Sequence, residues 1–136
     1  MYIIVTGCGK IGAALADRLA EEGNDVAVVD RDEKSFTLLG SGCNCMVLAG
    51  MPIDEDILRQ AGIEKADALA AVTQDDNTNI MTAQIARQLY RVPCVVACID
   101  DEEKQHIYEE MGLRTICATQ LAQDAAFDAV GGGRTV

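Results

Sequence analysis

The stretch MYIIVTGCGKIGAALADRLAEEGNDVAVVD, residues 1–30, decides the fold. Residues 2–6 form a short apolar, β-branched run. Residues 10–22 place Ile11, Ala14, Leu15, Arg18 and Leu19 at helical spacing, and Gly23-Asn24 ends that helix. Residues 25–30 return to an apolar strand pattern. Between the first strand and the helix stands Gly7-Cys8-Gly9-Lys10-Ile11-Gly12, which fits G-x-G-x-x-G. Alone, that string says little. Placed directly after a strand and opening a helix, it predicts a nucleotide-binding strand–loop–helix–strand unit, because Asp30 ends the next strand 30 − 12 = 18 residues beyond Gly12. Gly7 permits the tight turn, Gly9 lets a pyrophosphate approach the main chain, and Gly12 lets the helix pack close to the sheet. The helix start supplies N–H groups and a partial positive charge. Asp30 is placed to accept hydrogen bonds from the hydroxyls of an adenosine ribose. Its charge repels a 2′-phosphate, so NADP is disfavoured against NAD or another adenine nucleotide. Arg31 offers a guanidinium to the adenine face. Lys10 either reaches a phosphate or sits exposed at the helix start.

Outward from this unit the same rhythm continues. Apolar runs at residues 45–49, 66–73, 93–99 and 115–118 alternate with helical patterns at residues 32–39, 54–61, 75–91, 101–111 and 121–130. Strands alternating with helices imply a parallel sheet with right-handed crossovers. The expected fold is α/β: a Rossmann-like, doubly wound, three-layer αβα arrangement with a six-stranded parallel sheet in the order 3-2-1-4-5-6. Residues 1–130 read as one domain and residues 131–136, opening with Gly131-Gly132-Gly133, as a flexible tail or the remnant of a hinge.

Composition narrows the function. The chain has 136 residues, enough for one domain, and 11 Lys and Arg against 22 Asp and Glu give a net charge of −11. An acidic surface repels phosphate backbones, which argues against nucleic acid as a partner. No apolar run approaches the roughly 20 residues of a membrane span, so direct membrane insertion is not expected. The N-terminus lacks the basic region of a signal peptide. Six cysteines lie mostly within strand-like runs, which predicts reduced thiols in a cytoplasmic protein. Cys43 and Cys45, and likewise Cys94 and Cys98, are too extended along the chain for a compact chelate, so no metal site is expected. Cys8 sits at a helix start, where a thiol pKa falls; it either gates ligand binding by redox or is a passive loop residue. His106 reads as a solvated surface residue, and the carboxylates at residues 54–56, 75–76 and 100–103 read as helix caps. No nucleophile, base or acid emerges, so no catalytic residue is assigned and the chain is read as a non-enzyme. The alternative is the cofactor domain of an NAD-dependent oxidoreductase that works with a separate substrate domain. The last helix carries Leu121, Ala122, Ala125, Phe127, Ala129 and Val130, an apolar face that meets either a second subunit or its own sheet.

Four stretches carry a family resemblance: residues 1–33, ending VVDRDE; LAGMPIDEDILRQAGIEKADALAAVTQDDNTNI from residue 48; VPCVVACIDDEEKQHIYEEMG from residue 92; and LRTICATQLAQDA from residue 113. The core LxxAGIxxADxLxAVTxDDxxN is the most distinctive. On these residues the chain resembles the N-terminal lobe of regulators of potassium conductance, the KTN or TrkA-N domains. The resemblance implies a ligand-sensing module on the cytosolic face of the membrane. Such a module binds NAD(H) or ATP/ADP, forms a homodimer or higher oligomer, and controls a membrane-embedded potassium channel or transporter. A sensor serving an antiporter is the related alternative. The resemblance implies that Gly7, Cys8, Gly9, Lys10 and Ile11 cradle phosphates and that Asp30 and Arg31 hold the adenosine. It further implies that Gly50, Met51 and Thr73 line the cleft, and it places Asn79 at a recurrent position in the family. Three positions depart from the family pattern. Met51 stands where an acid is usual, Cys98 where an arginine is usual, and Thr119-Gln120 where Pro-Glu is usual. The family's second, smaller lobe is absent, so this chain is either an excised N-lobe or a solitary one.

Overall fold

A computed structural model describes residues 1–132. Six strands, β1 (Tyr2–Thr6), β2 (Asp25–Asp30), β3 (Met46–Ala49), β4 (Ala68–Ala71), β5 (Cys94–Cys98) and β6 (Arg114–Ile116), form one sheet in the order β3-β2-β1-β4-β5-β6. Every pairing is parallel, with Ile3 opposite both Val26 and Ala68, and Asp30 opposite Ala49. This is the topology expected from the alternating pattern. Successive side chains point to opposite faces, so β1 divides its residues between two cores. Ile4, Ala27, Val29, Leu69 and Ala71 meet Leu58, Ile80 and Ala83 on one face. Ile3, Val5, Val26, Val28 and Ala70 meet Ala13 and Ala16 on the other.

The helices are α1 (Lys10–Glu21), α2 (Glu55–Gln60), α3 (Asp76–Gln84), α4 (Glu102–Glu110) and α5 (Ala118–Phe127). The short helix expected at residues 32–39 is a 3-10 helix, Glu33–Leu38, started by Asp32, whose carboxylate accepts the Lys34 N–H. The long helix expected at residues 75–91 is α3 followed by a π turn, Ile85–Leu89, and the chain leaves it through Arg91 at φ 52°. Helix α5 starts three residues earlier than the apolar pattern suggested, because Cys117 Sγ accepts the Gln120 N–H and caps it there. It continues into a π turn, Asp128–Gly132, so Gly131 and Gly132 extend the helix. The remainder of the expected tail, residues 133–136, lies outside the described residues.

One cysteine expectation is overturned. A disulfide joins Cys43 to Cys45, with Cα atoms 5.4 Å apart. The segment is not extended as read from the sequence: Cys43 N–H turns back to Gly40 C=O at 3.0 Å, and the strand begins only at Met46. Among the described residues, no helix is long and apolar enough to cross a membrane.

Candidate functional site

A cleft of about 620 Å³ opens at the carboxyl ends of β1, β2 and β4. This is the switch point of the sheet, where the connections from β1 and β4 leave toward opposite faces. Gly7, Gly9, Asp30, Arg31, Asp32 and Ser35 form one wall. Met51, Pro52, Val72, Thr73, Gln74, Asp75 and Thr78 form the other.

The first wall is built from backbone. Gly7 has φ 101°, and a Cβ there would lie 2.7 Å from the Thr73 nitrogen. A Cβ on Gly12 would overlap the Gly7 carbonyl oxygen. Both positions therefore require glycine, for conformation and for close approach. The loop is pinned by Asp30, whose Oδ2 accepts the Cys8 N–H and whose Oδ1 accepts the Asp32 N–H, each at 2.7 Å. An ionised carboxylate has about four acceptor positions, so each oxygen retains capacity for a ligand hydroxyl. Gly9 is different: a Cβ there would meet nothing within 4 Å. It caps α1 without a side chain, and the first intrahelical bond is Ala13 N–H to Gly9 C=O at 2.9 Å. The backbone N–H groups of the first turn precede that bond. Helices α2, α3, α4 and α5 all start with a side-chain cap, from Asp54, Asp75, Asp101 and Cys117.

The second wall is held by side chains. Asn79 is 1% exposed, and its Oδ1 accepts both the Thr73 N–H and the Thr73 hydroxyl. Its Nδ2 donates to Thr73 C=O and to Cys98 C=O, each at 2.9 Å, tying the ends of β4 and β5 to α3. Asp75 accepts the hydroxyl and the N–H of Thr78. Those two bonds, followed by the fields of Lys104 and Arg31, hold its carboxyl below the usual range. Asp75 is thus a fixed anion.

The structure brings six of the expected residues to the cleft surface: Gly7, Gly9, Asp30, Arg31, Met51 and Thr73. Gly12 and Cys8 lie beneath and shape the loop. Lys10 and Ile11 are exposed on the first turn of α1 and are not among the residues that line the cleft. Gly50 is not on the surface of the cleft; it packs on Ile57, whose side chain would lie 2.6 Å from a Cβ. Asn79 is occupied internally, because its place in the first turn of α3 faces the sheet ends. Cys8 reverses its expected chemistry. Its side chain is fully buried and donates toward Ser35 C=O at 3.4 Å. Burial, then the charges of Asp30 and Asp17, push the thiol up to about 11. The helix start does not prevail there. His106 is exposed on α4 with Nε2 3.1 Å from Glu110. Asp54, Asp75 and Asp101 are caps, as read. Asp32, Ser35, Pro52, Val72, Gln74, Asp75 and Thr78 were missed as cleft residues. Each follows the carboxyl end of a strand at the switch point, a signal present in the pattern.

Comparison with known proteins returns one family over most of the chain. The TrkA-N domain family model matches residues 3–119. A Trk system potassium uptake protein TrkA from Streptomyces coelicolor is 42% identical over 124 residues, covering 91% of this chain and 56% of that protein. The chain thus spans about half the length of that relative. Among solved structures, GsuK bound to ADP superposes with a TM-score of 0.80 at 26% identity, over 96% of this chain and 34% of that one. The TrkA-N domain of the Escherichia coli inner membrane protein ybaL superposes at 0.83 over 95% of this chain and 96% of that one. At 15% identity that likeness shows the fold alone.

Proposed function

The chain belongs to the TrkA-N domain family, and on that premise we propose that it is a non-catalytic, adenine-nucleotide-sensing module that regulates potassium transport across the membrane. The observation that carries this reading is the bare start of α1. It opens into the cleft beside Asp30, while the other four α-helices are closed by their own side chains. An uncapped N-terminus with glycine at the approach is suited to phosphate. Gly7 and Gly9 would carry the pyrophosphate contact with the N–H groups of Lys10 and Ile11, and Asp30 and Arg31 would hold the adenosine. Met51 and Thr73 would face the rest of the ligand. NAD(H) and ATP/ADP fit this arrangement, and Asp30 disfavours NADP. The ADP named for GsuK supports the choice of class.

Three carboxylates line the cleft, and each is engaged by backbone N–H groups of the loops around it. Asp30 holds Cys8 and Asp32, Asp32 holds Lys34, and Asp75 holds Thr78. All three carboxylates are thus engaged in holding loops and helix starts, and none is set against a partner acid or base in the cleft. The reading is therefore a switch, in which nucleotide states favour different conformations.

Helix α5 supports a homodimer or higher oligomer. None of its residues is buried, and Leu121 and Phe127 are 61% and 70% exposed. The partner outside the oligomer is a potassium channel or transporter at the cytosolic face of the membrane. Light scattering at micromolar concentration tests the oligomer, and a monomer there rejects it.

A thermal-shift panel of NAD, NADH, ATP, ADP, AMP and NADP tests the central claim. A ligand at a hundred times its dissociation constant adds about 2.7 kcal/mol of stability. NADP is expected to bind worst, and Asp30→Ala is expected to remove that discrimination. No shift with any nucleotide overturns the reading.

A further inference from the structure

Cys43 and Cys45 remain outside everything assigned so far. They are bridged in the turn that leads into β3, while Cys8, Cys94, Cys98 and Cys117 are free. We propose that Cys43 and Cys45 are a redox modification site, a reversible dithiol–disulfide couple that exchanges with low-molecular-weight thiols and tightens the adenosine side of the cleft when closed. Its link to ligand affinity rests on the nucleotide reading above; the couple itself does not.

Ring size argues against a bond made for stability. Loop-closure entropy grows with the number of residues enclosed, and this disulfide encloses almost none. Access argues for exchange. The two half-buried cysteines alternate with the exposed Gly42 and Asn44, within reach of a small thiol. Disulfides that a dissolved thiol can reach belong to the labile, regulatory class.

Position supplies the consequence. The turn connects the 3-10 helix Glu33–Leu38 to β3, and both border the Asp30 end of the cleft. The 3-10 helix carries Ser35, which lines the cleft and whose carbonyl receives the Cys8 thiol. β3 ends opposite Asp30, where Gly50 N–H donates to Asp30 C=O at 3.0 Å. The turn is clamped at its near end, where Gly40 N–H lies 2.9 and 3.0 Å from the two Asp17 carboxylate oxygens on α1. The disulfide closes the far end, and Cys45 packs on the same core as Phe36 and Leu39.

The exchange balances without any other reactant. A small-molecule thiolate attacks one Sγ, the S–S bond breaks, and the electron pair leaves on the other Sγ, which takes a proton. A second small thiolate displaces the mixed disulfide. Two small thiols are oxidised to their disulfide and the protein disulfide is reduced to two thiols; the reverse closes the ring. Opening frees the segment between the Asp17 clamp and β3. Ordering it again on ligand binding then weakens affinity, by about fivefold at the modest end of ordinary coupling.

The full chain is equilibrated with glutathione and glutathione disulfide in varied ratio, then denatured and trapped with iodoacetamide. Intact mass is expected to move between six adducts and 6 − 2 = four. ADP affinity and amide hydrogen exchange over residues 33–49 are measured on the two forms. The expected result is about fivefold weaker ADP binding and faster exchange in the dithiol form. Cys43→Ser with Cys45→Ser should reproduce the dithiol form and ignore glutathione, and Cys94→Ser should leave the response intact. Six adducts at every ratio overturn the couple. A reversible couple with unchanged exchange and unchanged ADP affinity overturns its link to the cleft. A couple that alters exchange while neither form binds any nucleotide upholds the redox site and rejects the nucleotide reading instead.

Discussion

Helices α1 and α3 both start at the carboxyl edge of the sheet and border the same cleft, yet one starts at Gly9 with no side-chain cap and the other at Asp75, whose carboxylate receives the Thr78 N–H and hydroxyl. The difference extends below each start. Under α1 the loop is shaped by missing side chains, since Gly7 and Gly12 touch backbone where a Cβ would sit. Under α3 it is shaped by a side chain, Asn79, with four hydrogen bonds to the ends of β4 and β5. One helix start is completed internally. The other has no side-chain cap among the described residues and so suits a ligand from outside. An anion site of this kind needs a rigid frame opposite it, and the Asn79 network provides that frame.

The largest test breaks the α1 side. Gly12→Val puts a branched side chain where the Gly7 carbonyl and Val72 already stand. Overpacking against backbone is expected to cost about 3 kcal/mol or more. Urea denaturation should show a folded fraction sharply reduced. Wild-type stability in Gly12→Val would mean that α1 is not held against the loop by this contact.

The α3 side should break nearly as hard, for the opposite chemical reason. Asn79→Ala crowds nothing but strands the Thr73 N–H and the carbonyls of Thr73 and Cys98. Unpaired buried groups of this kind cost about 1–3 kcal/mol each before water or relaxation relieves them, so a loss of about 3 kcal/mol is expected. Asn79→Asp keeps the acceptor but turns a buried carboxylate oxygen toward both carbonyls, and should cost at least as much. If Asn79→Ala lost nucleotide affinity while keeping full stability, the residue would be a ligand contact after all.

Gly9→Asp tests the contrast itself by giving α1 the cap that α3 already has. Space around Gly9 is open, so the fold should be kept and stability should change by less than about 1 kcal/mol. The new carboxylate would bond the free N–H groups and repel phosphate. Nucleotide affinity should drop at least about tenfold, or about 1.4 kcal/mol, by titration calorimetry. Undiminished binding would remove the start of α1 from the site.

What the sequence disclosed follows the same division. The glycine loop was legible because its reasons are local: Gly7 must turn, Gly12 must approach, and Asp30 must end the strand beside them. The strand order followed from the alternation of apolar runs and helical spacing. The family resemblance placed Asn79 and Gly50 at the site, but their surroundings are set by β5 and by Ile57, which their local sequence does not announce. Cys8 was misread for a related reason. A helix start is visible in a sequence, whereas the Asp17 and Asp30 carboxylates that surround the thiol come together only on folding. The disulfide was missed because residues 43–45 were read as entering an extended strand, and the Gly40–Cys43 turn has no apolar period to announce it.

Cys8 offers the finest measure of how positive the start of α1 is. A helix N-terminus alone would pull a thiol pKa down. Burial, Asp30 and Asp17 instead raise it to about 11. The unfolded thiol ionises near its ordinary value, about 8.5. Below that pH both states keep the proton and Cys8 contributes nothing to the slope. Between about 8.5 and about 11 the unfolded chain has released its proton while the folded chain retains it. Unfolding is then favoured as pH rises, so stability is lost across this window. Cys8→Ser keeps a small hydrogen-bonding side chain and has no titration there. The melting temperature of the wild-type chain should therefore fall by a few degrees more than that of Cys8→Ser between pH 8 and pH 10.5. Parallel decline would put the folded thiol near its ordinary value. The partial positive charge of the bare helix end would then outweigh the two carboxylates, and the cleft would be a stronger anion site than its surroundings suggest.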